Sequence, residues 1–449
     1  MGTGRLGVTV ALVSVLAIVG AACGDDDDDS GAGDGPAPEG ALRVPQDHET
    51  IQAAVDAAEP GDLVYVDTGT YEEAVTVTTD NIVIRGADRD ETIVDGNFET
   101  ENCIFVVETA SVAVENLTVQ NCTANGVFFT GVDGYRTSYV NAIRNGNYGI
   151  YAFDSVNGQF DHSYASGSAD GGFYIGQCNP CNAVITDVES EWNGLGYSGT
   201  NASGNLVIAN SSFHDNRVGI VPNSLTSEEL YPQHDITIVG NRVSNNNNEE
   251  SAAIEIAQTA FGNGIVIAGG NDNVVDRNLV EDHDIAGIAV IPLPESVLRP
   301  DQEGGMDFAA TGNRVVGNVV TGSGTWDLAV VSALTAETDG GGNCFSGNEV
   351  TMTGPPDVQD LLPCDAPPSP EFVAPLGDLA REILAEKPAA VDYQDVELPE
   401  RTFDDMPDAD SAPAVPPTPD NVPMTVDVAA IVVPTPTATE DDSGSETAE

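Results

Sequence analysis

A glycine followed by an apolar or aromatic residue recurs along this chain at a nearly constant interval. The recurrence predicts an all-β fold, a right-handed parallel β-helix with coils of about 23 residues. The pairs are Gly126-Val127, Gly149-Ile150, Gly172-Phe173, Gly196-Tyr197, Gly219-Ile220, Gly264-Ile265 and Gly287-Ile288, at successive intervals of 23, 23, 24, 23, 45 and 23 residues. Between them lie short apolar segments such as Leu206 to Ala209 and Ile236 to Ile238, bounded by Gly, Asn and Asp, which read as strands. The 45-residue interval is twice the period, or one coil with a long loop over Leu225 to Gly262.

Stacking in register predicts an inward row formed by Val127, Ile150, Phe173, Ile220, Ile265 and Ile288. Asp187, Asn210 and Asn278 each stand nine residues before a glycine and are expected to form a hydrogen-bonded polar ladder. The glycine itself supplies either a positive φ or room for close backbone approach. Upstream, Thr50 to Ala58 reads as a short amphipathic helix with Thr50 as N-cap. Gly61-Asp62-Leu63-Val64-Tyr65-Val66, Gly69-Thr70-Tyr71 and Ile82 to Gly86 follow it. In these segments the chain resembles the pectin-lyase-like superfamily, including its periplasmic carbohydrate-binding β-helix proteins, over roughly residues 43–350. The resemblance implies a helix plugging the first coil. It leaves function open, because this fold carries lyases, hydrolases, esterases, epimerases and non-catalytic binders. The motifs of polygalacturonases and pectin methylesterases are absent, and Pro232-Gln233-His234-Asp235 only approaches the alginate-epimerase element.

Residues 1–22 read as a signal segment, with Arg5 in the n-region and an apolar run from Leu6 to Val19. Gly20-Ala21-Ala22-Cys23 resembles a bacterial lipobox, which implies lipidation of Cys23 and an extracytoplasmic, membrane-anchored protein. Residues 23–40 then form an acidic tether, 41–365 the β-helix, and 366–449 a tail. In the tail a short helix over Pro375 to Glu386 is expected to cap the last coil, and the Pro- and Asp-rich remainder is expected to be mostly disordered. Six further cysteines in an oxidising compartment favour disulfides, paired Cys103–Cys122, Cys178–Cys181 and Cys344–Cys364 as sequence neighbours.

With 73 acidic residues against 14 basic ones, the formal charge of −59 excludes nucleic acid as a partner. It fits a salty medium or capture of divalent cations, and calcium is the one cofactor suggested. Two outward rows can carry chemistry. Phe128, Tyr151 and Tyr174, two residues after their glycines, offer aromatic faces to a sugar chain, with Asp154, Gln177 and Asn201 beside them as hydroxyl partners. Arg144, Glu191, His214 and Asp282, five residues before their glycines, with Asp215 just after the row, supply the acid, base and imidazole groups of proton transfer or glycosidic cleavage. Gly167 leaves a gap in that second row.

The leading expectation is a surface protein that interacts with polysaccharide, with catalysis unproven. A polysaccharide lyase, hydrolase or epimerase using the second row is the alternative, and a structural or adhesive rod a further one.

Overall fold

The computed structural model describes residues 37–299, 304–334 and 340–435, so the signal segment, Cys23 and the acidic C-terminus lie outside the described residues. The described chain coils around a long axis with three parallel sheets per turn. Sheet 1 has eleven strands, from Val75–Val77 through Asn125–Thr130, Tyr148–Phe153 and Gly171–Gly176 to Thr353–Gly354. Sheet 2 runs from Leu42–Val44 to Cys344–Ser346, and sheet 3, of shorter strands, from Gly69–Tyr71 to Val319–Thr321. The long strands Ala110–Gln120 and Asp133–Ile143 turn the corner between sheets 2 and 3 without a break. The 45-residue interval is a single coil, with strands His234–Val239 and Arg242–Ser244 and loops on either side of them.

Along sheet 1, Val127, Ile150, Phe173, Tyr197, Ile220, Ile265 and Ile288 pair in one inward column, each completely buried. The preceding glycines are needed for space and not for a positive φ. An added Cβ at Gly126, Gly149, Gly196, Gly219 or Gly264 would fall 2.4–2.7 Å from the carbonyl oxygen of the next glycine in the column.

Coil-to-coil register is held at the corners by buried asparagines. The amide Oδ1 of one coil accepts the backbone N–H of the coil before it. At the corner between sheets 2 and 3 the chain of donors runs Val188 to Ser211, Ser211 to Asn241, Asn241 to Asn278, Asn278 to Asn318, and Asn318 to Asn348, at 2.9–3.2 Å. Gln359 closes it. A second ladder follows sheet 3 through Asn193, Asn216 and Asn246, and a third enters sheet 2 through Asn273, Asn313 and Asn343. Asp187 and Asn210 do not belong to the ladder that holds Asn278. They occupy left-handed turn positions one column away, as does Arg277. The turn from sheet 3 to sheet 1 differs by one residue between these coils, so counting back from the glycine mixes two columns.

Ile51–Ala57 plugs the first coil. The Thr50 hydroxyl accepts the Ala53 N–H at 3.1 Å, and the Glu73 carboxylate accepts those of Ile51 and Gln52. The last coil is closed by Val358–Leu361, which carries Gln359. The tail helix, Leu376–Leu384, serves a different purpose from the cap expected of it. Its Leu379 lines an apolar cavity with Val221, Val266, Ala289 and Trp326 on the outer face of sheet 1, because those residues would otherwise expose an apolar patch. The three disulfides are Cys103–Cys122, Cys178–Cys181 and Cys344–Cys364.

The tail expected to be mostly disordered lies along the solenoid as a strap, at least to Thr435. Six solenoid arginines donate to its main-chain carbonyls. Arg217 bonds Pro388 at 2.5 Å, Arg144 bonds Val396 at 2.8 Å, and Arg89 reaches Asp404 at 3.4 Å. Arg85 bonds Ala412 at 2.6 Å, Arg136 bonds Val415 at 2.8 Å, and Arg277 bonds Ile431 at 2.6 Å. The strap therefore travels toward the N-terminal coils, turns near residues 409–413, and returns. Charge-assisted bonds to backbone replace the apolar burial that its composition lacks.

Replacing Asn278 by Ala removes the acceptor of the Asn241 N–H, one of the two acceptors of the Asn241 amide, and the side-chain donor to the Ile238 carbonyl. We expect a loss of about 2–3 kcal/mol in denaturant unfolding, against under about 0.5 kcal/mol for a control, Ser346→Ala, at an exposed strand position.

Candidate functional site

On the outer face of sheet 3, strands Glu189–Glu191 and Ser212–His214 pair so that Glu189 stands beside Ser212 and Glu191 beside His214. Their central residues, Ser190 and Phe213, point inward and are buried. The alternation of a strand therefore aims both carboxylates and the imidazole outward. His214 sits between two carboxylates, with Nδ1 2.7 Å from Asp215 Oδ2 and Nε2 3.1 Å from Glu189 Oε1. Nδ1 is also 3.7 Å from Glu191. Glu191, with a side chain only 2% exposed, accepts the Tyr164 hydroxyl at 2.7 Å.

The remaining partner comes from the strap. Arg401 grips Glu191 with two bonds of 2.8 Å and lies 3.6 Å from Glu189. Its guanidinium pKa is raised by those bonds and charges. Burial disfavours a charge on His214, but hydrogen bonds to Asp215 and Glu189 push its pKa up to about 9. The hydrogen bond from His214 holds Glu189 below the usual carboxylate range. Burial opposes ionisation of Asp215, yet bonds from His214 and Asn245 hold it down as well. Burial and the bond to Glu191 raise the Tyr164 phenol.

The structure thus brings together Glu191, His214 and Asp215. It separates Arg144, which belongs to the column of Gly167, Trp192 and Asp215: Ile143 pairs with Ser166, and Ser166 with Glu191. Arg144 holds the strap instead. The Gly167 gap is filled by strap residue Leu398, whose Cδ1 would lie 2.9 Å from an added Cβ. Three members of the cluster escaped the sequence reading. Glu189 and Tyr164 share the second outward column of the same short strands, a signal that alternation could have revealed. Arg401, some 210 residues from its partner, had no sequence signal.

Sheet 1 carries the aromatic row. Phe105, Phe128 and Tyr151 form a continuous stack with centroids 5.2 and 4.5 Å apart and planes within 27°. The ring faces are thereby turned toward each other, and solvent meets mostly edges. Tyr174 is buried and donates its hydroxyl to Glu228 at 2.7 Å. Burial pushes the Glu228 carboxyl up to about 7, with Asp170 adding to the effect. Asp154, Gln177 and Asn201 all occupy left-handed corner positions after sheet 1. Asp154 is exposed, whereas Gln177 is buried. Asn201 is also buried, its amide holding Leu225 and Glu229 of the following loop, so it is not open to a ligand.

Glu189, Glu191 and His214 offer ligand atoms within 4.8 Å of one another. The set does not fit calcium, which prefers six to eight oxygens. One donor is an imidazole, and the guanidinium of Arg401 already binds both carboxylates.

Residues 102–292 match the family described as right handed beta helix region. Among solved structures, the A-module of mannuronan C-5 epimerase AlgE4 from Azotobacter vinelandii is 16% identical, with 70% of this chain and 93% of that one covered at a TM-score of 0.49. A pectate lyase, Pel9A, is 14% identical over 67% of this chain and 72% of its own, TM-score 0.41. The tailspike protein 2 domain of bacteriophage CBA120 is 13% identical over 60% and 39%, TM-score 0.39. A search of curated proteins finds no match. The match over residues 102–292 and the strand register together define the fold: a right-handed parallel β-helix.

The His214 shift carries a pH signature. Its folded pKa lies above the ordinary 6.5, so its contribution to stability is complete below that value and fades as pH rises through about 9. Relative to His214→Gln, the wild-type protein should lose at most about 3 kcal/mol of stability across that window, read by urea unfolding at a series of pH values.

Proposed function

We propose that this protein is an exported, lipid-anchored β-helix that binds polysaccharide through the cluster of Glu189, Glu191, His214 and Asp215 without turning it over. The electrostatic state of the cluster carries this reading. General acid–base catalysis is most efficient when a group's pKa lies near the working pH, so that it both holds and releases a proton there. Here the imidazole is pushed up to about 9 while Glu189 and Asp215 are held down. All three stay charged from roughly pH 5 to 8. Fixed charges with spare carboxylate lone pairs suit recognition of sugar hydroxyls. Glu189 and Asp215, each with a side chain 36% exposed, are the two that a ligand reaches. The signal segment ending at Cys23 and the three disulfides favour an oxidising, extracytoplasmic setting.

An enzymatic reading has one observation in its favour, on sheet 1. Glu228, pushed up to about 7 and bonded to Tyr174, is a carboxyl poised to donate a proton beside the aromatic stack.

The test is a glycan screen of the chain from Gly24 onward, reading binding and product release together, with and without calcium. Binding without products, weakened about tenfold or more by Glu189→Gln or His214→Gln, is the expected result. Shortened or unsaturated products lost in Glu228→Gln would establish the enzyme. Metabolic labelling with palmitate should mark the wild-type chain and not Cys23→Ser.

A further inference from the structure

We propose that the strap converts the outer groove of sheets 2 and 3 from a polymer track into a pocket for a short saccharide or a chain end, neutral or amine-bearing. The inference rests on the saccharide-binding reading and adds the ligand class. An unobstructed β-helix offers a polymer a continuous row of equivalent side chains about 4.8 Å apart. Here that row is occupied. The outgoing limb of the strap is tied to Arg217, Arg144 and Arg89, and the returning limb to Arg136 and Arg277.

The solenoid is also shaped for the strap. An added Cβ at Gly134 would fall 2.7 Å from the Pro417 carbonyl oxygen, one at Gly167 2.9 Å from Leu398, and one at Gly240 2.2 Å from Ile431. A glycan chain would have to displace all of this to lie along the axis.

Among the described residues the strap leaves a large opening. A cavity of about 930 Å³ is walled by Asp187, Glu189, Ser212 and Arg242 of the solenoid and by Met424 and Asp427 of the returning limb. That volume lies near the top of the roughly 300–1,000 Å³ range of small-ligand pockets. Glu189 reaches from its wall to His214, and through Arg401 to Glu191, so the cavity meets the cluster at Glu189. Its charge selects the ligand. Asp187, Glu189 and Asp427 are acidic, and the one basic wall residue, Arg242, is committed to Glu281 at 3.2 Å. A uronate or sulfated sugar is repelled, whereas hydroxyl and amine groups find acceptors.

Titration calorimetry on the full mature chain tests this. The probes are chito-, glucosamine and cello-oligosaccharides of graded length, long chitosan matched for sugar content, and a polyuronate. We expect affinity to stop rising after the first few units, weak binding of the long polymer per sugar, and no binding of the polyuronate. Ser212→Trp, which fills the cavity beside Glu189, should weaken binding about tenfold or more. Asp427→Arg, placed on the strap side, should reduce affinity for glucosamine oligomers more than for cello-oligomers, and it covers the case in which Ser212→Trp does not fold. Affinity that grows with every added unit, or that both variants leave intact, overturns the pocket. If Glu189→Gln still abolishes binding in that case, saccharide recognition by the cluster survives. Absence of binding across all probes overturns both.

Discussion

Every feature of this molecule depends on one hydrogen bond repeated along the axis. At corners of successive coils a backbone N–H is turned away from water, and the next coil supplies its acceptor. Buried asparagines do this, and each also donates its own amide to a neighbouring carbonyl or to the following asparagine. A side chain with both roles can be used rung after rung without leaving an orphan. The result is a register with no play. In such a lattice one residue more or fewer in a turn moves a side chain into the neighbouring column. That is why Glu191 meets His214 while Arg144 does not.

Charge organises the second level. In a chain of formal charge −59 the few arginines are not scattered. Six of them reach the main-chain carbonyls of the strap, and a seventh, Arg401, returns from the strap to buried Glu191. Carbonyl recognition by guanidinium does not depend on the side chains of the recognised segment. A Pro- and Asp-rich sequence with little apolar surface can therefore still be held. The pairing of Arg401 with a carboxylate 2% exposed also explains how Glu191 tolerates its burial.

The cluster inherits its character from this arrangement. The imidazole and carboxylates clamp one another in their charged states, and the strap supplies both a counter-ion and a wall. On the opposite side of the coil, sheet 1 carries its stacked rings edge-on, and the loop after it covers Tyr174 through Glu228. The two faces therefore differ in kind, one polar and walled, the other aromatic and ribbed.

Much of the fold was legible because a solenoid repeats. The glycine interval gave the coil length, the residue after it the inward column, and Thr50 to Ala58 the plug. A polar ladder was legible too, but the expected column was correct only at Asn278: the pairs Asn273/Asn278, Asn313/Asn318 and Asn343/Asn348 stand five residues apart in three successive coils. Local spacing thus determined which residues face inward, because strand alternation and coil period are properties of the backbone. Only the tertiary structure decided which outward residues meet. Turn lengths that vary by a single residue shift the columns, and Arg401 reaches Glu191 from a segment whose path is set by six distant arginines. Contacts of that kind depend on the summed geometry of the whole solenoid, and no local pattern carries it.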